Sequence, residues 1–311
     1  MAKELAYNAT LIERIDISDT LSIFRVKPDE PATLGDDGSW FISGQYMVIG
    51  LNNEQTPELG SVRRPMSIAS PPQDAEVIDF YIKYVSHPES DNPLTHLLWR
   101  AKAGDRMYAR VHATGKFTVH HSVGDDDTRL RVLVAAGTGL APFICMVDEA
   151  LRRDPNARLD HLAVLHGVSY AEELGYRERL ERLAAEQGLR YLPTVSRPQH
   201  SPGWDGPTGR VEDFFLADRL ADTEARMGLA PGEFRPDKAA IFICGLMGTI
   251  KETIERTLPR GFVPDHRRIR KALEIPEETE ATLFFEQYDT TPVIDVKDPA
   301  EVERVKALYQ P

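Results

Sequence analysis

Two glycines that end an apolar run carry the first recognisable chemistry in this chain. In VLVAAGTGLAPF, residues 132–143, a buried strand is expected to turn into a helix through Gly137, Thr138 and Gly139. Backbone without side chains lets a phosphate-bearing ligand approach, and a helix N-terminus offers unpaired N–H groups and a positive dipole. The spacing is G-x-G-x-x-P, with Pro142 where the dinucleotide fingerprint has its third glycine; the next strand closes on HGVSY, without an acid. A generic strand-to-helix turn has the same spelling, so this motif alone leaves both readings open. The two cysteines, Cys145 and Cys244, sit in apolar contexts and form no CxxC pair. An iron–sulfur cluster held by four thiolates needs more than they supply. Electron transfer by this chain therefore requires an organic cofactor.

The elements that position these residues change character along the chain. Residues 1–125 show short alternating runs at 10–15, 22–26, 45–51, 66–70 and 77–84, which predict an antiparallel sandwich or barrel. Pro93 suits a first helical position, with Leu94, Leu97 and Leu98 on one face. The polar stretch 122–129 marks a boundary. Beyond it, strand patterns at 130–135, 161–166, 189–195 and 239–244 alternate with helical patterns at 140–152, 172–186, from Val211, and at 247–257. That alternation predicts a doubly wound parallel sheet. A late strand is expected at 283–286. Asp298, Pro299 and Glu301 then supply an N-cap, a proline at N1 and an acid at N3 for a last helix through Tyr309. The expected division is 1–125, 126–289 and a C-terminal extension, 290–311.

A strand followed by GTGLAPF resembles the ferredoxin–NADP+ reductase family, and further motifs fall into the family's order. Arg64-Pro65-Met66-Ser67 is similar to the R-x-Y-S flavin motif. The resemblance implies that Arg64 pairs with the FAD pyrophosphate and that Ser67 hydrogen-bonds near flavin N5. Both residue types suit those tasks: a guanidinium is a fork for phosphate oxygens, and a hydroxyl donates or accepts. Met66 stands where the family has its stacking aromatic. Asn92-Pro93-Leu94-Thr95 resembles the G-x-x-[S/T] pyrophosphate motif, with Asn92 as a residue able to adopt positive φ. A capped surface helix would look the same.

Val195-Ser196-Arg197 and Thr208-Gly209-Arg210 resemble V-S-R and T-G-R segments whose Ser and Arg contact the NADPH 2′-phosphate. Cys244-Gly245 matches the cysteine that faces the nicotinamide, and a buried structural cysteine is the plain alternative. Phe285-Glu286-Gln287-Tyr288 resembles the C-terminal E-x-Y, whose tyrosine covers the flavin and gives way to nicotinamide. The implied antiparallel FAD-binding β-barrel is followed by an NADP-binding α/β domain. The implied activity is hydride transfer between NADP(H) and FAD, coupled to one-electron exchange with ferredoxin or flavodoxin. Two other readings stay open: a flavin reductase component of an oxygenase, and a flavin-binding electron-transfer subunit that needs a partner.

Composition narrows the classes. Lys and Arg total 37 against 49 Asp and Glu, a net charge of −12, which argues against non-specific nucleic-acid binding. The longest apolar runs, 131–146 and 239–247, fall short of the about 20 residues that cross a bilayer. With two cysteines and no recognisable targeting segment, a reducing cytoplasm is expected. Arg63, Lys83, Arg100, Lys102, Arg106 and the run 266–271 offer a local basic patch for an acidic carrier, or simply a solvated face. Val302, Val305, Leu308 and Tyr309 give the extension an apolar stripe, expected to pack on the protein's own surface.

Overall fold

Short strands with alternating burial make up the first third of the computed structural model, which describes residues 4–309. They are β1 (Ala9–Ser18), β2 (Leu21–Pro28), β3 (Tyr46–Asn52), β4 (Ser61–Ser67), β5 (Ile78–Lys83) and β6 (Arg106–Thr114). All pair antiparallel in one six-stranded sheet of order β4-β3-β6-β1-β2-β5. Inward residues such as Leu11, Phe24, Ile49, Phe80 and Met107 form its core.

The edge strands approach each other through a single bridge, Ile68 with Phe80, so the sheet is barrel-like but no ladder closes it. Ala69 N–H still donates to the Asp79 carbonyl at 2.8 Å. Pro71 and Pro72 follow, and neither has an N–H to continue the pairing. The strand expected at 66–70 therefore ends at Ser67, and β6 was not anticipated. Helix α1 (Leu94–Arg100) buries Leu94, Thr95 and Leu98; Pro93 is its N-cap rather than its first residue.

The described chain clusters into two units. The first runs as far as Val119 and includes residues Ala141–Pro155. One short helical turn, α2 (Val119–Ser122), precedes α3 (Ala141–Arg153), whose first seven residues are buried. Within the first unit α3 is held by a hydrogen bond from Ser43 to Glu149 and by an Arg152–Asp74 ion pair at 2.8 Å.

The second unit, His120–Leu140 and the described chain from Asn156 on, contains a five-stranded parallel sheet. Its strands are β7 (Leu130–Ala136), β8 (Leu162–Val168), β9 (Arg190–Val195), β10 (Ala239–Gly245) and β11 (Leu283–Gln287), in the order β11-β10-β7-β8-β9. Every residue of β8 and β10 is buried, as in parallel sheets covered on both faces. The unit's helices are α4 (Arg177–Gln187), α5 (Leu220–Arg226), α6 (Met247–Thr257), α7 (Arg267–Ala272) and α8 (Pro299–Lys306). The helix expected from Val211 is only a 3-10 turn, Val211–Phe215, and α5 starts later.

The extension packs on its own unit, as its stripe suggested. Val293, Ile294 and Val305 join the apolar core. Asp298 accepts from the Ala300 N–H at 2.9 Å and so caps α8. Glu301 pairs with Lys251 instead of completing a capping box, and Arg304 forks onto Glu255 at 2.6 and 2.7 Å. Among the described residues no helix is long and apolar enough to cross a membrane.

Candidate functional site

In the parallel sheet the winding direction reverses at β7: β8 and β9 lie on one side of it, β10 and β11 on the other. Ligands of open α/β sheets bind at the carboxyl ends of the strands beside such a switch. There β7 runs into the 3-10 turn Gly137–Leu140, and β10 ends in Cys244-Gly245. A methyl group on Gly139 would lie 1.9 Å from the Cys244 carbonyl oxygen, so only glycine allows this packing. Gly137 has φ 56°, and a methyl group there would meet nothing within 4 Å. The turn is thus pinned on one side and open on the other, which is the shape of a phosphate cradle. His166, fully buried on β8, lies beneath it within reach of the Tyr191 hydroxyl at 3.3 Å. Burial pushes its pKa down to about 4, against a smaller upward pull from the Gly137 backbone.

The two arginine segments meet. Val195 and Thr208 form a parallel bridge, and Gly209 N–H donates to the Val195 carbonyl at 3.0 Å. The Thr194 hydroxyl, shared between the Pro207 and Gly209 carbonyls, fastens the same join. Ser196 donates both its N–H and its hydroxyl to the Val168 carbonyl, at 2.9 and 3.2 Å. Arg197 is exposed, and its Nη1 donates to the Tyr170 hydroxyl at 2.7 Å. The Arg210 side chain is exposed too, with Nη1 3.9 Å from Oε1 of the buried Glu212. Burial pushes the Glu212 carboxyl up, and the Arg210 and Arg256 charges only partly offset it.

Register places Cys244 directly beside Glu286 on β11. The Cys244 thiol donates to the Tyr288 hydroxyl at 3.0 Å. Burial pushes that thiol well above its ordinary value, and the Glu286 charge adds to the effect. It therefore stays protonated at neutral pH, a neutral thiol and not a thiolate nucleophile. Tyr288 is 45% exposed beside it. Asp289, the next residue, accepts from the Met247 N–H at 3.2 Å where α6 begins.

In the first unit Arg64 and Met66 pair with Ile49 and Met47 and share their face of β4, while Pro65 and Ser67 take the other. Arg64 is exposed; its Nη1 donates to the Arg63 carbonyl at 2.9 Å, and no carboxylate pairs with it among the described residues. Met66 is half-buried against the core, and Ser67 is buried. Helix α1 packs on β3 and β4. The Asn92 side chain donates towards the Leu59 and Gly60 carbonyls at 3.3 and 3.4 Å and accepts from Asn53 at 3.0 Å. Positive φ is not used at Asn92: among the described non-glycine residues only Tyr176 and Glu274 have it. Thr95 is buried, and its hydroxyl accepts from the Val85 N–H at 3.4 Å.

Three neighbours escaped the sequence reading. His96 stacks on Tyr84 at 4.5 Å beside α1's first turn. Tyr170 and the buried His166 flank the motifs of the second unit. The only signal for these two was HGVSY itself, read for a missing acid and not for its aromatic.

An oxidoreductase NAD-binding domain model matches residues 133–254. Curated relatives include a ferredoxin–NADP reductase of Pseudomonas aeruginosa, 28% identical over 249 residues, which are 76% of this chain and 83% of that protein. Ferredoxin–NADP reductase B of Sorangium cellulosum is 31% identical over 203 residues, 65% of this chain and 73% of that one. Phenol hydroxylase P5 protein of Acinetobacter pittii is 27% identical over 208 residues, but this chain spans only 52% of its length. Among solved structures, a ferredoxin NADP+ reductase from Neisseria gonorrhoeae with bound FAD and NADP shares the fold at a TM-score of 0.68 and 19% identity, covering 92% of this chain and all of that one. Sequence, sheet topology and these likenesses agree: the chain belongs to the ferredoxin–NADP reductase family, whose members are FAD-dependent oxidoreductases.

Proposed function

We propose that this protein is a ferredoxin– or flavodoxin–NADP+ reductase, with residues 1–125 holding FAD, residues 126–289 holding NADP(H), and 290–311 as an extension of the second part. The observation that carries this reading is the joint arrangement at one sheet edge. The Gly137–Leu140 turn is pressed against Cys244, and the Ser196-Arg197 and Arg210 segments are joined by the Val195–Thr208 bridge. A cradle of bare backbone fits a pyrophosphate, and two exposed guanidinium groups fit a dianionic phosphate.

Each residue then has a task. The Gly137, Thr138 and Gly139 backbone receives the NADP(H) pyrophosphate. Arg197 and Arg210 bind the 2′-phosphate, and Ser196, whose N–H and hydroxyl donate to the Val168 carbonyl, fixes the strand end from which Arg197 reaches it. Cys244 and Gly245 bound the nicotinamide pocket with a neutral thiol, and Glu286 supplies a carboxylate at the same level of the sheet. Tyr288 moves off its hydrogen bond to Cys244 to admit the nicotinamide ring. In the first part Arg64 grips the FAD pyrophosphate, Met66 lies against the flavin, Pro65 and Ser67 line it, and Asn92, Leu94 and Thr95 form the shelf beside it. The bound flavin supplies exchange between a hydride and single electrons; the protein supplies orientation and electrostatics.

Anaerobic titration of the purified yellow protein tests the proposal. NADPH is expected to bleach the flavin band at far lower concentration than NADH. Arg197→Ala is expected to raise the KM for NADPH much more than that for NADH, and equal effects would remove the 2′-phosphate assignment. A second reading, as the reductase component of an oxygenase in the cytoplasm, draws on the likeness to the phenol hydroxylase protein. Preference for NADH together with failure to reduce ferredoxin or flavodoxin would favour it.

A further inference from the structure

Arg197 is held by an aromatic side chain rather than by an acid. Its Nη1 donates to the Tyr170 hydroxyl at 2.7 Å, and its Cζ lies 5.5 Å from the centre of the Tyr170 ring. The backbone sets the pair. Arg197 N–H donates to the Ser169 carbonyl at 3.0 Å, and Ala171 N–H donates to the Ser201 hydroxyl at 3.0 Å, so the chain on both sides of Tyr170 is tied to the chain around Arg197. His200 meets the same ring edge-on at 6.4 Å. Among the described residues no carboxylate lies within ion-pair distance of Arg197.

The chemistry of that partner matters. A carboxylate would hold the guanidinium but cancel its charge and compete with a phosphate. A tyrosine hydroxyl is a neutral acceptor: it occupies one of five N–H donors and leaves the charge and the remaining fork uncompensated. It also restricts an otherwise freely rotating side chain before any ligand arrives, so less freedom is lost on binding.

We propose that Tyr170 is a positioning residue that presets Arg197 for the 2′-phosphate and thereby sets the preference for NADPH over NADH. This rests on the reading of Arg197 given above. Tyr170→Phe keeps the ring and its packing against His200 and removes only the hydroxyl. Steady-state kinetics with both nucleotides test the idea in the wild type, Y170F, R197A and the double variant.

Y170F is expected to lower the ratio of kcat/KM for NADPH over NADH about fivefold, through the KM for NADPH. In the R197A background the same substitution is expected to change the ratio no further, because the hydroxyl acts through Arg197. If Y170F lowers kcat/KM equally for the two nucleotides, or if its effect survives in R197A, Tyr170 does not act through Arg197 and the proposal fails. If the wild type prefers NADPH and Y170F leaves that preference unchanged, the proposal alone falls. A wild type that does not distinguish the nucleotides overturns both the proposal and the reading beneath it.

Discussion

Two turns in this molecule were expected to receive a phosphate, and they are built in opposite ways. At Gly137–Leu140 the backbone carries the site. One glycine is wedged against the Cys244 carbonyl, and another opens onto free space. At Asn92–Thr95 the polar side chains are already engaged. Asn92 ties the loop to Asn53 and to the Leu59 and Gly60 carbonyls, and Thr95 accepts from the Val85 N–H. On the proposed function the first turn is itself the receptor. The second is a braced shelf beside Arg64, whose guanidinium has no acid partner among the described residues. Two motifs read for the same ligand group are therefore built differently: where a motif's polar groups serve the fold, charge for a ligand must come from a neighbour.

The largest effect that would sharpen this contrast is at Gly139. Gly139→Ala puts a methyl group 1.9 Å from backbone that cannot swing away. Unfolding in denaturant should show a loss of about 3 kcal/mol. A variant of near wild-type stability would mean that the turn is not pinned.

His166 tests the support beneath the same turn. Its native pKa, about 4, lies below the ordinary 6.5. Between those values the unfolded chain binds a proton that the native state refuses, so stability falls as pH drops from 6.5 to 4. The wild type should lose about 3 kcal/mol more than His166→Gln over that interval. Equal losses would place the histidine in contact with water.

The shelf has its own test. Arg64→Ala should weaken FAD binding about 30-fold, whereas Thr95→Ala should cost about 1 kcal/mol of stability and leave FAD affinity nearly unchanged. Equal weakening of FAD by both, read by fluorescence of released flavin, would break the distinction between charge and brace. The smallest effect is expected at Gly137→Ala. The methyl group meets no atom, so only the positive φ opposes it, at about 1 kcal/mol. A loss as large as at Gly139 would show that the open side is in fact packed.

Much of the architecture was legible because it is local. Apolar runs such as residues 130–135 and 239–244 announce buried parallel strands, and Asp298-Pro299 announces the start of α8. The strand expected at 66–70 was misplaced and β6 was missed, because edge strands and exposed strands carry mixed patterns that resemble loops. The helix from Val211 was overextended because its first residues are apolar for contacts with β7, β8 and α6, not for a helix face of their own.

By itself the sequence determined the order of the five strands of the parallel sheet, the glycines at the β7 turn and the two arginine-bearing segments, 195–197 and 208–210. Periodicity and side-chain chemistry are properties of neighbouring residues, and they can be read without a fold. Tertiary structure decided which of those groups remained available. Only packing sets Gly139 against Cys244, joins Thr208 to Val195, turns Thr95 inward to Val85 and gives Arg197 a tyrosine for a partner. Each depends on distances between segments far apart in the chain, and a hydrogen-bonding group spent on such a contact is no longer free for a ligand.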